Sequence, residues 1–244
     1  MDVRDKTVLV AGGAGNLGSA VVADLRARGA RIAVLDIREP GDRTPGDVFA
    51  PADAADEQSV AAALASIVAA CGNVSALVNC TGLIHSETLV NVMDPQRRRH
   101  RVESWDSVLR SNLTATFVTG AVVAEHMAAT RTKGVIVNFS SIAARGNPGQ
   151  TAYAAAKAGI EALTAVWARE LGPLGIRAVA IAPGFVDVPS TQAALNESAL
   201  GELKRRTPLR RFATAREIAA AVAFAIEHDF ITGSTIGVDG GLVI

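Results

Sequence analysis

The residue types best suited to acid–base chemistry are Tyr153 and Lys157, which stand four positions apart in the segment 151–171. The pattern of that segment predicts a helix, and a spacing of four places both side chains on one face, one turn apart. A phenol ionises near pH ~10, so Tyr153 alone is a poor acid–base catalyst at neutral pH. An ammonium group beside it favours the phenolate, so the pair predicts a tyrosine with a lowered pKa. The spacing by itself also fits an ordinary surface helix.

Composition limits the classes of protein that can contain this pair. The 244 residues include 24 basic and 24 acidic ones, so no net field favours nucleic acid or an anionic membrane surface. No segment has the length of a charge-free spanning helix, and the charged residues 1–5 lead directly into a strand, which leaves no room for a signal peptide. Cys71 and Cys80 are the only cysteines and lack metal or redox spacing. A soluble cytoplasmic protein with no metal site is expected.

Apolar runs of strand length alternate with helical patterns along the chain. Strands are predicted at residues 6–11, 30–36, near 48, 76–79, 134–140, 177–182 and 234–239. Helices are predicted at about 17–28, 57–71, 104–129, 151–171 and 215–228. The strands are apolar on both faces, as expected for a parallel sheet covered by helices on both sides. The sequence therefore predicts an α/β fold over 1–244: one Rossmann-type domain, with a doubly wound parallel sheet in a three-layer α/β/α sandwich.

A glycine-rich turn, Gly12-Gly13-Ala14-Gly15-Asn16-Leu17-Gly18, follows the first predicted strand. Glycines between a strand and a helix let backbone amides approach a pyrophosphate. Asp36 ends the next strand, where a carboxylate can accept hydrogen bonds from both adenosine ribose hydroxyls and would repel a 2′-phosphate. NAD is therefore predicted rather than NADP, although Arg38 lies nearby. Asp53 falls where the adenine edge is expected, and its alternative role is a helix N-cap.

These features make the chain resemble the short-chain dehydrogenase/reductase family from residue 6 to the C-terminus. Further segments stand in the order that the family shows. They are Asn79-Cys80-Thr81-Gly82, Ser111-Asn112-Leu113, Asn138-Phe139-Ser140-Ser141, Pro183-Gly184-Phe185-Val186 and the ending 231–241.

The resemblance implies a catalytic set of Asn112, a serine, Tyr153 and Lys157. The serine would hold the substrate oxygen and Tyr153 would exchange a proton with it, while Lys157 would lower the pKa of Tyr153 and bond the nicotinamide ribose. Asn112 would support a water that links Lys157 to solvent. The serine is either Ser141, by its place at the strand end, or Ser140, by its 13-residue interval to Tyr153. The two point to opposite faces of the strand, and Ser141 is favoured.

The resemblance also implies a set of cofactor contacts around the carboxyl ends of the strands. They are Gly12, Gly15, Asn16, Leu17, Gly18, Asp36, Asp53, Ala54, Asn79, Gly82, Tyr153, Lys157, Pro183, Gly184 and Val186. The chain departs from the family's usual residue at Ala11, Asn16, Cys80, Val179 and Val188, none of which belongs to the catalytic set.

Two segments should surround the substrate. The insert 83–104 is longer and more basic than is usual in the family, with Arg97-Arg98-Arg99-His100-Arg101 at its centre, and loops at this place rim the active site. The cluster predicts a docking site for an anionic substrate or, by preference, a solvated or subunit-interface loop, since charge runs are usually solvated. Nucleic-acid binding is not expected. His85 either faces substrate or is a plain loop residue. Residues 185–211 resemble the family's substrate lid.

We therefore expect an NAD(H)-dependent oxidoreductase that interconverts a secondary alcohol and a ketone, acting on a small molecule. A 3-oxoacyl-carrier reductase using NADPH is one alternative, suggested by chain length and by residues 146–150, and Asp36 argues against it. A non-catalytic NAD-sensing or scaffold protein is the other, although such proteins usually lose Tyr or Lys. An enoyl reductase would separate these two residues more widely. The resemblance implies a homotetramer built on the two long helices and the C-terminal strand, and the apolar tail 242–244 agrees with it.

Overall fold

A parallel sheet runs through the centre of the molecule. The computed structural model describes residues 1–96, 98–194 and 196–244, and within these ranges the sheet has seven strands. They are β1 (Thr7–Ala11), β2 (Arg31–Asp36), β3 (Val48–Pro51), β4 (Val74–Asn79), β5 (Gly134–Phe139), β6 (Ile176–Pro183) and β7 (Thr235–Val238).

The strand order creates a crevice at one edge of the sheet. It is β3-β2-β1-β4-β5-β6-β7, and every neighbouring pair is parallel. The chain builds outwards from β1 to β3 and then returns to place β4 on the other side of β1. In doubly wound sheets, ligands bind at such a reversal, outside the carboxyl ends of the strands. Here the glycine turn follows β1 and residues 80–82 follow β4.

Helices cover both faces of the sheet. They are α1 (Asn16–Ala27), α2 (Glu57–Cys71), α3 (Val102–Leu109), α4 (Ala115–Ala129), α5 (Thr151–Leu171), α6 (Pro189–Ala194), α7 (Glu197–Arg206) and α8 (Ala215–Glu227). Val10 on β1 packs with Val21 of α1 and Ile218 of α8 on one side, while Leu9 packs with residues of α2, α4 and α5 on the other. Burying a side chain of this size contributes about 1.5–3 kcal/mol. The predicted doubly wound α/β/α architecture is confirmed.

The predicted helix 104–129 is helical throughout but contains one irregular segment. Between α3 and α4 the residues Arg110–Thr114 form a π-helical segment, which the sequence pattern does not predict. The Asn112 side-chain amide donates to the carbonyl of Val108 (3.0 Å) and to that of Leu83 (2.9 Å) in the loop after β4. Single-turn π segments occur inside α-helices, frequently at functional sites. The other predicted elements differ from the observed ones by one or two residues at their ends.

The segment 185–211 contains α6 and α7, which its polar sequence does not predict. Asn196 caps α7 by accepting a hydrogen bond from the amide of Ala199 at 2.9 Å. Lys204, Arg205 and Arg206 stand in the last turn of α7, where positive charge complements the helix dipole.

The insert 83–104 folds back on itself and is anchored near α5. Val90 pairs with Arg99 in an antiparallel bridge, and the amide of Glu87 donates to the carbonyl of Gly149 at 2.7 Å. The Glu87 carboxylate accepts hydrogen bonds from His85 (3.0 Å) and from Arg101 (3.1 and 3.2 Å), which lower its pKa to about 2, the His85 bond most strongly.

Part of the basic cluster is therefore neutralised within the insert itself. Arg101 is paired with Glu87, while Arg98 and Arg99 are exposed. Arg97 lies outside the described residues.

None of the helices in the described residues has both the length and the apolar character that crossing a bilayer requires. The His, Cys, Asp and Glu side chains of these described residues do not form a group of three or more that could hold a metal ion.

Candidate active site

Tyr153 and Lys157 lie in the first two turns of α5, and both are buried. The Lys157 Nζ is 5.4 Å from the centroid of the Tyr153 ring, so the spacing of four does place the two side chains on one face. Lys157 Nζ donates a hydrogen bond to the carbonyl of Phe139 at 2.8 Å. This bond joins the helix to the last residue of β5.

Burial dominates the pKa of both groups, because removal from water disfavours the charged form. It raises the pKa of Tyr153 to about 12, against a smaller lowering by the hydrogen bond with Ser141. It lowers the pKa of Lys157 to about 8, against a smaller raising by Cys80. The prediction that Lys157 lowers the pKa of Tyr153 is therefore wrong for this structure. The ammonium is directed at the Phe139 carbonyl, and the phenol responds mainly to its own desolvation.

The two serines point to opposite faces of the end of β5. Ser141 accepts a hydrogen bond from the amide of Ala143 at 3.1 Å, at the start of the 3-10 turn Ile142–Arg145. Its hydroxyl lies close enough to Tyr153 to lower the pKa of the phenol. Ser140 is buried and donates to Glu161 Oε1 at 2.8 Å. Only Ser141 adjoins the tyrosine hydroxyl.

Asn112 is buried beneath the loop that follows β4. Its Nδ2 donates hydrogen bonds to the carbonyls of Val108 and Leu83. Its Oδ1 is buried and has no hydrogen-bond partner among the described residues. A Cβ atom on Gly82 would lie 2.3 Å from this oxygen, so glycine is required for the close approach. The unpartnered acceptor lies against Gly82, which lines the groove.

A groove of about 440 Å³ follows the carboxyl ends of β1, β2 and β4. Six of the predicted cofactor residues line it: Gly12, Gly15, Asp36, Asp53, Ala54 and Gly82. Gly12 has φ +78°, and a Cβ there would come within 2.8 Å of the backbone of Cys80 and Thr81. The turn can therefore lie against the end of β4 only with glycine at this position.

The residues along the groove suit a dinucleotide. Within the described chain no acidic side chain stands in the first turn of α1, so its amide groups remain suited to an anion. Asp36 is held at the groove by the amides of Ala14 and Arg38, each at 3.0 Å, which leaves carboxylate lone pairs for ribose hydroxyls. Thr81, also in the groove wall, has a buried hydroxyl with no partner among the described residues.

Other predicted cofactor residues serve the core instead of the groove. The Asn79 side chain donates to Asn138 Oδ1 (2.9 Å) and accepts from Thr119 (2.7 Å), both buried. A Cβ on Gly18 would lie 2.2 Å from the Gly12 carbonyl oxygen, so Gly18 permits the packing of α1 against the turn. Leu17, in the first turn of α1, packs against the hydrophobic core.

The remaining predicted contacts lie towards the segment 185–211. Asn16 Nδ2 donates to Ser190 Oγ at 3.0 Å, which links the glycine turn to α6. Pro183 ends β6, and a Cβ on Gly184 would lie 2.8 Å from Asp239. Val186 is buried and pairs with Ala213. These residues lie on the side of the site that faces the segment 185–211.

The structure adds two residues that sequence reasoning missed. Glu161 holds Ser140, and its spacing of four from Lys157 was an available signal for a shared helix face. Arg110 forms an ion pair with Asp53 at 2.6 Å. Nothing in the sequence signals this pair, because 57 positions separate its members.

A doubly wound sheet with a glycine turn after the first strand and an acid at the end of the second is the architecture of Rossmann-type dinucleotide-binding proteins. Comparisons with known proteins agree with this class. The family model described as Enoyl-(Acyl carrier protein) reductase matches residues 12–243.

Relatives and a solved structure cover almost the whole chain. The short-chain reductase protein NovJ of Streptomyces niveus is 36% identical, over 98% of this chain and 94% of that protein. The 3-oxoacyl-(acyl-carrier-protein) reductase FabG of Thermotoga maritima is 34% identical, over 100% of both. The ligand-free aldohexose dehydrogenase AldT of Thermoplasma acidophilum superposes with a TM-score of 0.87 at 27% identity, over 99% of this chain and 95% of that one.

The chain belongs to the short-chain dehydrogenase/reductase family. It is an oxidoreductase of CH–OH groups that works with a nicotinamide cofactor.

Proposed function

We propose that this protein uses NAD(H) to interconvert a secondary alcohol and a ketone, with Tyr153 as proton donor and acceptor. The placement of Lys157 Nζ 5.4 Å from the centroid of the Tyr153 ring, with Ser141 close enough to lower the pKa of that tyrosine, is the observation that carries the proposal. The hydroxyls of Ser141 and Tyr153 and the ammonium group of Lys157 therefore lie close together. Cys80 lines the groove and also interacts with Lys157, so this place adjoins the cofactor site.

A bound nicotinamide supplies the hydride chemistry. The substrate oxygen accepts hydrogen bonds from Ser141 and Tyr153, and Tyr153 passes its proton to that oxygen during reduction. Because burial raises the pKa of Tyr153 to about 12, the phenol is the populated form at neutral pH and is ready to donate. In the oxidative direction Tyr153 must act as the phenolate, and its burial opposes that ionisation while Ser141 favours it. Asn112 Oδ1 can hold a water for returning the proton to solvent.

The preference for NAD over NADP rests on Asp36. Its carboxylate is fixed at the groove by two backbone amides, and a fixed negative charge there opposes a 2′-phosphate. Initial rates with NADH and NADPH on one ketone test this preference. Higher kcat/KM with NADPH would contradict it.

Replacing Tyr153 with Phe tests the reaction itself. Turnover should fall by at least about 10²-fold, because positioned acid–base groups contribute about 10²–10⁴. NADH binding, followed by fluorescence, should be nearly unchanged because the ring remains. A Tyr153→Phe variant with full activity would rule out the assignment, and a wild-type protein that binds NADH but turns over no substrate would favour a non-catalytic NAD sensor.

A 3-oxoacyl-carrier reductase is the second candidate, and the similarity to the FabG relative supports it. The described arginines Arg98 and Arg99 are exposed at the insert and could receive an anionic carrier or substrate. A substrate panel that contains a 3-oxoacyl thioester, a neutral aldohexose and simple ketones separates the possibilities. Neutral substrates preferred at low salt would contradict anionic docking.

We further propose a homotetramer in the cytoplasm. Phe117 on α4 and Val166 on α5 are 51% and 44% exposed, which suits helices that pack against another subunit. In the tail 242–244, Val243 is exposed, whereas Leu242 is buried and Ile244 packs in the cluster that contains Tyr153. Light scattering that gives a monomer would contradict the tetramer.

A further inference from the structure

An ion pair between two separate segments of the chain lines the groove. Arg110 Nη2 lies 2.6 Å from Asp53 Oδ2, and Arg110 Nη1 donates to the carbonyl of Ala55 at 3.4 Å. Asp53 and Ala55 belong to the loop after β3, whereas Arg110 begins the π-helical segment after α3. All three residues line the groove, so the pair joins the two segments within it.

The pair contributes little to the stability of the fold. Its side chains are 49% and 56% exposed, and an exposed pair of this kind adds only a small fraction of a domain's stability. The segment that carries Arg110 is held independently by the buried Asn112. Because stability does not account for the pair, its position in the groove indicates a role in binding.

Both Asp53 oxygens are fixed by neighbours. Oδ1 accepts the amide of Ala55 at 2.8 Å, and Oδ2 accepts Arg110. An ionised carboxylate is an acceptor at every remaining lone pair. Adenine presents an exocyclic amino donor, whereas hypoxanthine presents a carbonyl acceptor at the same position. A carboxylate held in one orientation at the groove can therefore distinguish the two bases.

We propose that Arg110 is a positioning residue for the cofactor, which holds the Asp53 carboxylate so that it accepts a hydrogen bond from the amino group of adenine. The proposal rests on the proposed use of NAD(H), with the adenine half at this end of the groove. Arg110 contacts no reacting atom, so its effect falls on cofactor affinity and on base selectivity, and not on the chemical step.

Fluorescence titrations with NADH and with its hypoxanthine analogue test the proposal. Arg110→Ala should raise the Kd for NADH on the order of tenfold and leave the Kd for the analogue nearly unchanged, because a charge-assisted hydrogen bond to the amino group is impaired. Asp53→Asn should do the same, and the double variant should lose no more than either single one. Arg110→Lys should recover part of the affinity.

Arg43→Ala is the matched control. Arg43 also forms an exposed ion pair, with Glu39 at 2.9 Å, but it does not line the groove, so neither Kd should change. Melting temperatures establish that each variant is folded. If Arg110→Ala does not fold, Arg110→Lys and Asp53→Asn carry the test.

Three results would overturn the proposal. Equal losses for NADH and the analogue would mean that Arg110 acts on the whole nucleotide and not through Asp53. A loss confined to NADPH would make Arg110 a phosphate ligand. Unchanged affinity in Arg110→Ala, with normal NADH binding by the wild type, would contradict this proposal alone, whereas a wild type that binds neither dinucleotide contradicts the proposed function.

Discussion

Lys157 ties α5 to the end of β5 through a 2.8 Å hydrogen bond from its ammonium group to the carbonyl of Phe139. The ammonium is buried, and only part of its hydration is replaced, since Lys offers three donors. Its pKa therefore falls to about 8. Lys157 therefore lies beside Tyr153 with a pKa of about 8, which is well below the ordinary lysine value of 10.5.

The protein should become more stable as the pH rises from about 8 towards 10. Lys157 has a lower pKa folded (about 8) than its ordinary value of 10.5, so in this window the unfolded chain binds more protons and a rise in pH favours folding. The complete effect would be on the order of 3 kcal/mol. Urea unfolding at pH 8 and pH 10 measures it, with Lys157→Met as the comparison. Parallel pH dependences in the two proteins would contradict the prediction.

Tyr153 should titrate about two units above an unfolded tyrosine. It is the only tyrosine in the chain, so phenolate absorbance reports on this group alone. The folded protein should show a midpoint at about 12, against ~10 in denaturant. Stability should accordingly be lost as the pH rises through this window, because the neutral phenol is the favoured folded form. Ser141→Ala should raise the midpoint further. A midpoint below 10 in the folded protein would contradict this prediction and would indicate that Lys157 lowers the pKa of Tyr153.

The features predicted correctly from sequence are those that depend on neighbouring positions. Apolar residues on both faces of β1, β2 and β5 predict a covered parallel sheet. A spacing of four is enough to place Tyr153 and Lys157 on one helix face. Gly12 is predicted because a tight turn between a strand and a helix requires it.

The features missed from sequence depend on contacts between distant segments. The π-helical segment reflects the bond from Asn112 to Leu83, which no periodicity signals. The direction of the Tyr153 pKa follows from packing among Val108, Ala143 and Ala152, and burial of that kind cannot be read from the spacing to Lys157. The location of Asn79 in the core likewise depends on its partners Thr119 and Asn138.

Substitutions at the two adjacent serines should have different consequences. Ser141→Ala should reduce kcat by about 10²-fold, since it removes a donor to the substrate oxygen, and should cost about 1 kcal/mol of stability because the amide of Ala143 loses its acceptor. Ser140→Ala should preserve kcat and cost about 1–3 kcal/mol of stability, because the half-buried Glu161 carboxylate loses the hydrogen bond that the buried Ser140 donates. Steady-state rates and denaturant unfolding of both variants provide the comparison. The reverse pattern would identify Ser140 as the catalytic serine.

The contact between the glycine turn and α6 should slow the release of the cofactor. Asn16 Nδ2 donates to Ser190 Oγ at 3.0 Å, and if residues 185–211 act as the lid, opening must break this bond. Asn16→Gly and Ser190→Ala should each speed NADH release by about two- to tenfold in stopped-flow fluorescence, the effect of one hydrogen bond. The double variant should release no faster than either single one.

Gln192→Ala provides the matched control for this contact. Among the described residues the Gln192 side chain bonds to Asp187 at 2.6 Å, within the segment 185–211, so its loss should leave the release rate unchanged. Faster release in Asn16→Gly with an unchanged rate in Ser190→Ala would attribute the effect to glycine flexibility in the turn. That outcome would contradict the role of the bond, because both substitutions remove the same hydrogen bond and must act alike if the bond limits opening.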